Sequence, residues 1–211
     1  MPHITSVVFD FGNVLSEPQG EEWVAEMSRL AGATVDRLMA AYRAHRRDYD
    51  GGLLDGAAYW QLVIDSIDDR PDGPLDDDLL RRLVTADIAS WTQMRPSMLD
   101  WVHRLKEAGF KLGILSNMPS DHGEEILRDF DWIKEFDAIA FSYRLKATKP
   151  HEPIYRAALE LLASLPAQTL FIDDIEENVE GARRIGMEAI HFRDVESLRA
   201  ELTRYPGIPL P

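Results

Sequence analysis

The sequence predicts an α/β fold, in which a Rossmann-like parallel sheet carries an inserted α-helical cap subdomain. Five short apolar runs along the chain are typical of strands buried on both faces. Segments with helical spacing separate the later runs, which indicates βαβ units and a parallel sheet. Roughly a hundred residues separate the first run from the second, and they show helical patterns only.

The predicted elements of the sheet and its covering helices follow from these runs in chain order. The predicted strands are Ile4–Phe9, Lys111–Ser116, Ala138–Ser142, Thr169–Ile172 and Glu188–Phe192. Apolar residues recur with helical spacing at Met98, Trp101, Val102 and Leu105, and again at Ile154, Ala158, Leu161, Leu162 and Leu165.

Four amphipathic patterns fill the long interval, and they begin at Trp23, Val35, Trp60 and Leu79. Turn-forming residues break the interval at Gly32, Asp50–Gly52 and Pro71–Pro74. We therefore expect a helical cap over residues 17–92 and a core made of residues 1–16 and 93–211. Trp60 is expected in the interior of the cap, and Asp76–Asp78 at a helix start.

Composition limits the classes of function. The chain has 211 residues, and its 37 acidic and 23 basic residues give a net charge of −14. This charge disfavours nucleic acids and anionic membranes as partners, and the lack of cysteine excludes disulfides and thiolate chemistry. No apolar stretch is long enough to span a membrane and no signal-peptide pattern is present, so we expect a cytoplasmic protein. Oligomeric state stays open.

Polar residues follow the predicted strands at the edge where ligands bind in open parallel sheets. These residues are Asp10, Ser116, Asn117, Lys146, Lys149, Asp173 and Asp174. Three clustered carboxylates repel one another unless a cation balances them. Oxygen ligands without His or Cys favour Mg²⁺, and an Asp beside such an ion, a Ser and a Lys suits phosphoryl transfer.

Each of these residues also has a simpler interpretation as a turn former, helix cap or surface residue. Pro150 holds the residue before it extended, which favours Lys149 over Lys146 as the site lysine. His122 is expected to be an exposed residue at a helix start, with proton transfer as the alternative. For Arg46, Arg47 and Tyr49 a solvated face is favoured over substrate contact, and Asn178 either orients a loop or lies on the surface.

Four segments together resemble the motifs of the haloacid dehalogenase-like hydrolase superfamily, in their order and their spacing. They are VVFDFGNVL (Val7–Leu15), ILSN (Ile114–Asn117), TKP (Thr148–Pro150) and FIDDIEENVEGA (Phe171–Ala182). The helical insertion after the first motif is similar to the helical caps of that superfamily. The first motif and the cap segment Arg47–Trp60 are similar to its sugar-phosphate phosphatases, a group that includes an α-glucose-1-phosphate phosphatase.

The resemblance implies a Mg²⁺-dependent phosphomonoester hydrolase that acts on a small phosphorylated metabolite through an aspartyl-phosphate. Asp10 would then be the nucleophile and a metal ligand, and the Gly12 carbonyl a second ligand. Ser116 and the Asn117 amide would hold the phosphate, and Lys149 would neutralise it. Asp174 would bind the metal directly, and Asp173 directly or through water.

One position departs from the superfamily pattern. Most of its phosphatases carry a second Asp, the general acid and base, two residues after the nucleophile, where this chain has Gly12. Either catalysis depends on an acidic leaving group, or another group such as His122 supplies the proton. Two alternatives stay open: a 2-haloacid dehalogenase that uses the same Asp, and a catalytically weak phosphate-binding module.

Overall fold

A five-stranded, fully parallel sheet forms the centre of the molecule, with the order β3-β2-β1-β4-β5. The structure is a computed structural model, and it describes residues 3–67 and 75–211. The strands are β1 Ser6–Phe9, β2 Lys111–Ser116, β3 Ala138–Phe141, β4 Thr169–Asp173 and β5 Glu188–His191.

Four helices lie between β1 and β2 before the first core helix: α1 Glu21–Ala31, α2 Val35–Asp50, α3 Gly56–Asp65 and α4 Asp77–Trp91. The remaining helices alternate with strands: α5 Pro96–Glu107, α6 Ser120–Asp129, α7 Ser142–Leu145, α8 Glu152–Leu161, α9 Glu176–Arg184 and α10 Val195–Leu202. The predicted fold class, a parallel α/β core with an inserted helical cap, is confirmed.

Both faces of the sheet are buried, which explains the continuous apolar runs. Val7 and Phe9 of the central strand belong to one hydrophobic cluster, which also contains Trp101 of α5. Val8 points to the opposite side and belongs to a second cluster with Tyr155 of α8. Alternate residues of β1 thus pack against the helices on both faces of the sheet. This packing fixes the position of the carboxyl end of β1, and Asp10 follows directly after it.

Some predicted boundaries differ from the structure. The strand β1 begins at Ser6 rather than Ile4, and Ser142 starts α7 instead of ending β3. The helix α8 ends at Leu161, and Ala163 follows with a positive φ of 47°. Leu165, predicted to continue this helix, lies beyond it and is exposed, because the chain has already turned.

The cap helices have their own hydrophobic cluster, in which Trp60 is fully buried as expected. The predicted breaks at Gly32 and after Asp50 coincide with the ends of α1 and α2. Asp76 caps α4 by accepting a hydrogen bond from the Leu79 amide, whereas the predicted break at Pro71–Pro74 falls outside the described residues. The division at residues 16/17 and 92/93 stays a prediction.

Two backbone hydrogen bonds link the outgoing and returning chains at the base of the cap. The amide of Glu17 donates to the carbonyl of Gln93 (2.7 Å), and that of Arg95 to Leu15 (2.8 Å). Over the described ranges, none of the helices combines the length and the apolarity that crossing a bilayer requires.

Candidate active site

Asp10 stands directly after the central strand, at the carboxyl edge of the sheet. Its amide donates to the carbonyl of Ile172 on β4, which ties the residue to the neighbouring strand. Its Oδ1 accepts hydrogen bonds from the Phe11 amide (2.7 Å) and forms an ion pair with Lys149 Nζ (2.8 Å). Within the described residues Oδ2 has no hydrogen-bond or ion-pair partner, so this oxygen is available to a ligand or an electrophile.

Lys149 reaches Asp10 from the loop after α7 and is itself buried. Its ammonium lies 2.6 Å from Asp173 Oδ2 and 2.8 Å from Asp10 Oδ1. The Asn117 side chain holds the Lys149 backbone: its Oδ1 accepts from the Lys149 amide and its Nδ2 donates to the Lys149 carbonyl. This clamp by Asn117 was not foreseen, since the sequence suggested only a role for its amide.

The two carboxylates that end β4 differ in their surroundings. Asp173 is fully buried, and its oxygens accept hydrogen bonds from Lys149, the Ile175 amide and Asn178 Nδ2. Asp174 is more open, and its Oδ2 accepts a hydrogen bond from Asn13 Nδ2 at 2.7 Å. The oxygens of Asp173 are therefore already hydrogen-bonded and hold the lysine in place, whereas Asp174 lines the cavity.

Asp10, Lys149, Asp173 and Asp174 are called the strand-end cluster below. One oxygen from each of the three carboxylates lies within 4.8 Å of the others, a spacing that suits a metal ion. Burial raises the pKa of Asp10 to about 7, because the attraction of Lys149 only partly offsets burial and the repulsion from Asp173 and Asp174. Burial also raises the pKa of Asp174.

Ser116 and Gly12 line the cavity around Asp10. Ser116 is buried at the end of β2, and no hydrogen bond to its hydroxyl is found in the described part of the chain. A Cβ built on Gly12 would lie 3.4 Å from the ring of Trp91, which comes from the cap helix α4. The cap thus borders the position where an acidic side chain is missing.

The cavity measures about 380 Å³ and lies between the carboxyl edge of the sheet and the cap. Its cap-side lining includes Met39, Tyr42, Arg43, Arg46 and Asp50. Lys146 takes no part in it: its ammonium donates to the carbonyl of Gly52 at 2.9 Å. The structure therefore brings Asp10, Gly12, Ser116, Asn117, Lys149 and Asp174 to one cavity, with Asp173 directly behind, and separates Lys146 from them.

A second buried group of charges crosses the boundary between the cap and the core. It consists of Arg46 and Asp50 on α2, Asp87 on α4 and His122 on α6, and is called the cap–core cluster below. Arg46 Nε lies 2.8 Å from Asp50 Oδ1, and its Nη1 lies 3.5 Å from Asp87 Oδ2. His122 Nε2 lies 3.5 Å from Asp87 Oδ1.

Two expectations about this cluster were wrong. His122 does stand at the start of α6, but it is only 1% exposed, because the cap covers it and Tyr49 contacts its ring edge. Arg46 is not on a solvated face, since its guanidinium contacts two carboxylates and the ring of Tyr42. Arg47 is exposed as expected, whereas Tyr49, expected on the same solvated face, is fully buried in the cap. Helical periodicity does not show which residues of another helix cover a polar face.

The comparison with protein families agrees with this arrangement. The model of haloacid dehalogenase-like hydrolases matches residues 4–186, which includes all the strand-end residues and the cap. The chain belongs to the haloacid dehalogenase-like hydrolase family.

Among curated relatives, hexitol phosphatase B of Escherichia coli (strain K12) is 28% identical over 199 residues, covering 91% of this chain and 82% of that protein. Bifunctional epoxide hydrolase 2 of Rattus norvegicus is 32% identical over 123 residues, which is 54% of this chain. The chain matches about a fifth (22%) of the length of that epoxide hydrolase.

Solved structures share the fold. A HAD-family enzyme from Bacteroides thetaiotaomicron, solved with magnesium and inorganic phosphate, superposes with a TM-score of 0.70 at 18% identity, covering 92% of this chain and 98% of that one. The L-2-haloacid dehalogenase of Xanthobacter autotrophicus superposes with a TM-score of 0.69 at 21% identity, covering 98% and 85%.

Proposed function

We propose that this hydrolase cleaves phosphate monoesters of small metabolites, such as sugar phosphates, by a Mg²⁺-dependent reaction in which Asp10 attacks phosphorus. The observation that carries the proposal is the strand-end cluster, in which three carboxylates face a single ammonium ion. The likeness to a hexitol phosphatase over 91% of the chain supports the substrate class.

The donor set fits magnesium. All the available ligand atoms are oxygens, which Mg²⁺ prefers, and three carboxylates with one lysine leave two negative charges uncompensated. In this proposal Asp10, Asp174 and the Gly12 carbonyl bind the ion directly, and Asp173 acts through water because its oxygens already accept other hydrogen bonds. The bound ion would neutralise charge on the transferring phosphoryl group.

The side chains around the cavity have separate roles in the proposed reaction. Lys149 forms an ion pair with Asp10 and attracts the phosphate oxygens, while Asp173 and Asn117 fix its position. Ser116 donates its free hydroxyl to a phosphate oxygen. Oδ2 of Asp10 has no competing partner in the described chain, so it attacks phosphorus and forms the aspartyl-phosphate that water then cleaves.

The dehalogenase alternative uses the same Asp10 but attacks a carbon that bears a halogen. That reaction needs no divalent cation, so the excess negative charge of Asp10, Asp173 and Asp174 would stay unbalanced. The strand-end cluster therefore favours phosphate esters over haloacids.

A panel of phosphorylated metabolites and 2-haloacids, assayed with Mg²⁺ and after exhaustive chelation, tests the proposal. We expect phosphate release that disappears on chelation and returns with Mg²⁺ or Mn²⁺. Ca²⁺ should inhibit, because its larger and looser coordination shell misplaces the phosphate. Halide release, or full phosphatase activity without a metal, would contradict the proposal.

A further inference from the structure

The position that lacks an acid, Gly12, is bordered by the ring of Trp91 at 3.4 Å from a built Cβ. A Cβ at this position would be in van der Waals contact with the indole, and the chain itself supplies no acid there. A proton for the leaving oxygen has to come from elsewhere around the cavity, and the cap-side lining includes one carboxyl group, Asp50.

Asp50 is the last residue of α2, and its position relative to the core is fixed. The hydroxyl of Ser142 donates to the Asp50 carbonyl, and the Ser142 Oγ in turn accepts a hydrogen bond from the Met118 amide at 2.8 Å. Met118 follows Ser116 and Asn117 directly. The end of the cap helix is thereby attached to the loop that carries two of the proposed phosphate-binding residues.

The Asp50 side chain is 17% exposed, whereas those of Asp87 and His122 are 0% and 1% exposed. Asp50 is thus the carboxylate of the cap–core cluster that a ligand can reach. It also shares with Asn117 and Lys149 the lining of a second cavity of about 450 Å³. Asp50 thus lines both cavities together with Asn117 and Lys149.

The charges of the cap–core cluster do not balance without a proton. With a neutral His122, the carboxylates of Asp50 and Asp87 face one guanidinium, that of Arg46, which leaves one negative charge in a buried setting. Burying an unpaired charge costs free energy, so binding a proton stabilises the cluster. Both ring nitrogens of His122 lack hydrogen-bond partners among the described residues.

The two carboxyl groups of the cluster differ in acidity. Burial raises the pKa of Asp50, and the attraction of Arg46 and His122 does not fully offset it. Burial acts on Asp87 too, but His122 and Arg46 outweigh it and hold the pKa of Asp87 below its usual range. The proton of the cluster is therefore assigned to Asp50, while Asp87 stays ionised.

We infer that Asp50 is the general acid and base of the phosphatase reaction, in place of the acid missing at position 12. While the bond from Asp10 to phosphorus forms and the ester P–O bond breaks, protonated Asp50 gives its proton to the leaving alcohol oxygen. The Asp50 carboxylate then takes a proton from the water whose oxygen attacks phosphorus as the bond to Asp10 breaks. Arg46 and His122 are positioning residues that keep the proton available. The inference rests on the proposed function.

The leaving-group dependence of kcat/KM in the wild type and in Asp50→Asn tests this role. In the wild type we expect a shallow dependence on leaving-group pKa. In Asp50→Asn, kcat/KM for an alkyl substrate such as a hexose 6-phosphate should fall by about a hundredfold or more, a typical loss for a general acid. With 4-nitrophenyl phosphate, whose leaving group needs no proton, the loss should stay below about tenfold.

Asp121→Asn is the matched control. Asp121 accepts a hydrogen bond from the cap residue Tyr49 at 3.1 Å, so the variant makes the same chemical change at the cap–core boundary outside the catalytic cavity. Its leaving-group dependence should equal that of the wild type. His122→Gln should shift the pH profile of kcat/KM for the alkyl substrate, which a purely structural role would not do.

A steep leaving-group dependence in the wild type would overturn the inference without any variant, since it would show that no proton donor acts. Parallel dependences in the wild type and Asp50→Asn would also overturn it and leave the proposed function intact. A wild-type protein that is inert toward every phosphate ester would overturn the proposed function together with this inference.

Discussion

The strand-end cluster and the cap–core cluster are both buried and both carry more negative than positive charge. The first combines three carboxylates with one ammonium, and the second combines two carboxylates with one guanidinium and one imidazole. The strand-end cluster lacks two positive charges, which a divalent cation would supply. The cap–core cluster lacks one positive charge, which a proton would supply. The same electrostatic rule thus underlies both proposals, metal binding in the core and proton transfer from the cap.

The largest expected effect comes from breaking the strand-end cluster at its nucleophile. Asp10→Asn should lower kcat for phosphate esters by more than about a hundredfold, or about 2.7 kcal/mol in the activation barrier, because an amide is a poor nucleophile and a weak metal ligand. Circular dichroism should show an intact fold. Retention of more than a few per cent of wild-type kcat would remove Asp10 from the mechanism.

A smaller but selective effect is expected for the lysine that partly balances this cluster. Lys149→Ala should raise KM and lower kcat, and it should also destabilise the fold by roughly 3 kcal/mol, since it leaves buried carboxylates unpaired. Lys146→Ala is the control, because its ammonium only donates to the Gly52 carbonyl. Steady-state kinetics and thermal unfolding measure both effects. Equal losses in the two variants would contradict the distinction between the lysines.

The smallest effect concerns the stability of the metal-free protein. The pKa of Asp10 is about 7 in the folded state but about 4 in an unfolded chain. The folded state therefore holds a proton that the unfolded state releases, and the free energy of unfolding falls as pH rises from about 4 to about 7. Asp10→Asn removes this loss, so it should stabilise the metal-free protein above pH 7 and have little effect near pH 4.

Denaturant unfolding of both proteins at the two pH values measures this difference. Added Mg²⁺ should reverse it, since only the wild type binds the ion well. A variant that is less stable than the metal-free wild type at pH 8 would show that the charges of the strand-end cluster are already balanced.

The sequence was sufficient to predict the strand-end cluster because its members follow the strands that they terminate. Parallel strands bring their carboxyl ends to one edge, so Asp10, Ser116 and Asp174 are placed together by topology alone. The hydrogen bond from Asn13 to Asp174 and the Asn117 clamp on Lys149 depend on side-chain direction, which spacing does not contain.

The cap–core cluster could not be predicted from the sequence, because its formation depends on how distant helices pack together. Its members come from three helices that are far apart in the chain, and no motif joins them. Amphipathic spacing places Arg46 on a polar face, but it does not reveal that Asp87 and His122 cover that face. Asp50 was noticed only as part of a turn, and its proposed role depends on the packing of the cap against the core.

The measurement that most directly tests the central claim, attack of Asp10 on phosphorus, is a rapid acid quench during turnover. Enzyme, Mg²⁺ and an aryl phosphate with an acidic leaving group are mixed, and peptides are analysed by mass spectrometry at successive times. We expect a phosphoryl group on the peptide that contains Asp10, formed as fast as the phenol is released and lost as fast as phosphate appears. Release of phenol and phosphate in equal amounts from the first turnover, with no phosphorylated Asp10 at any time, would contradict it.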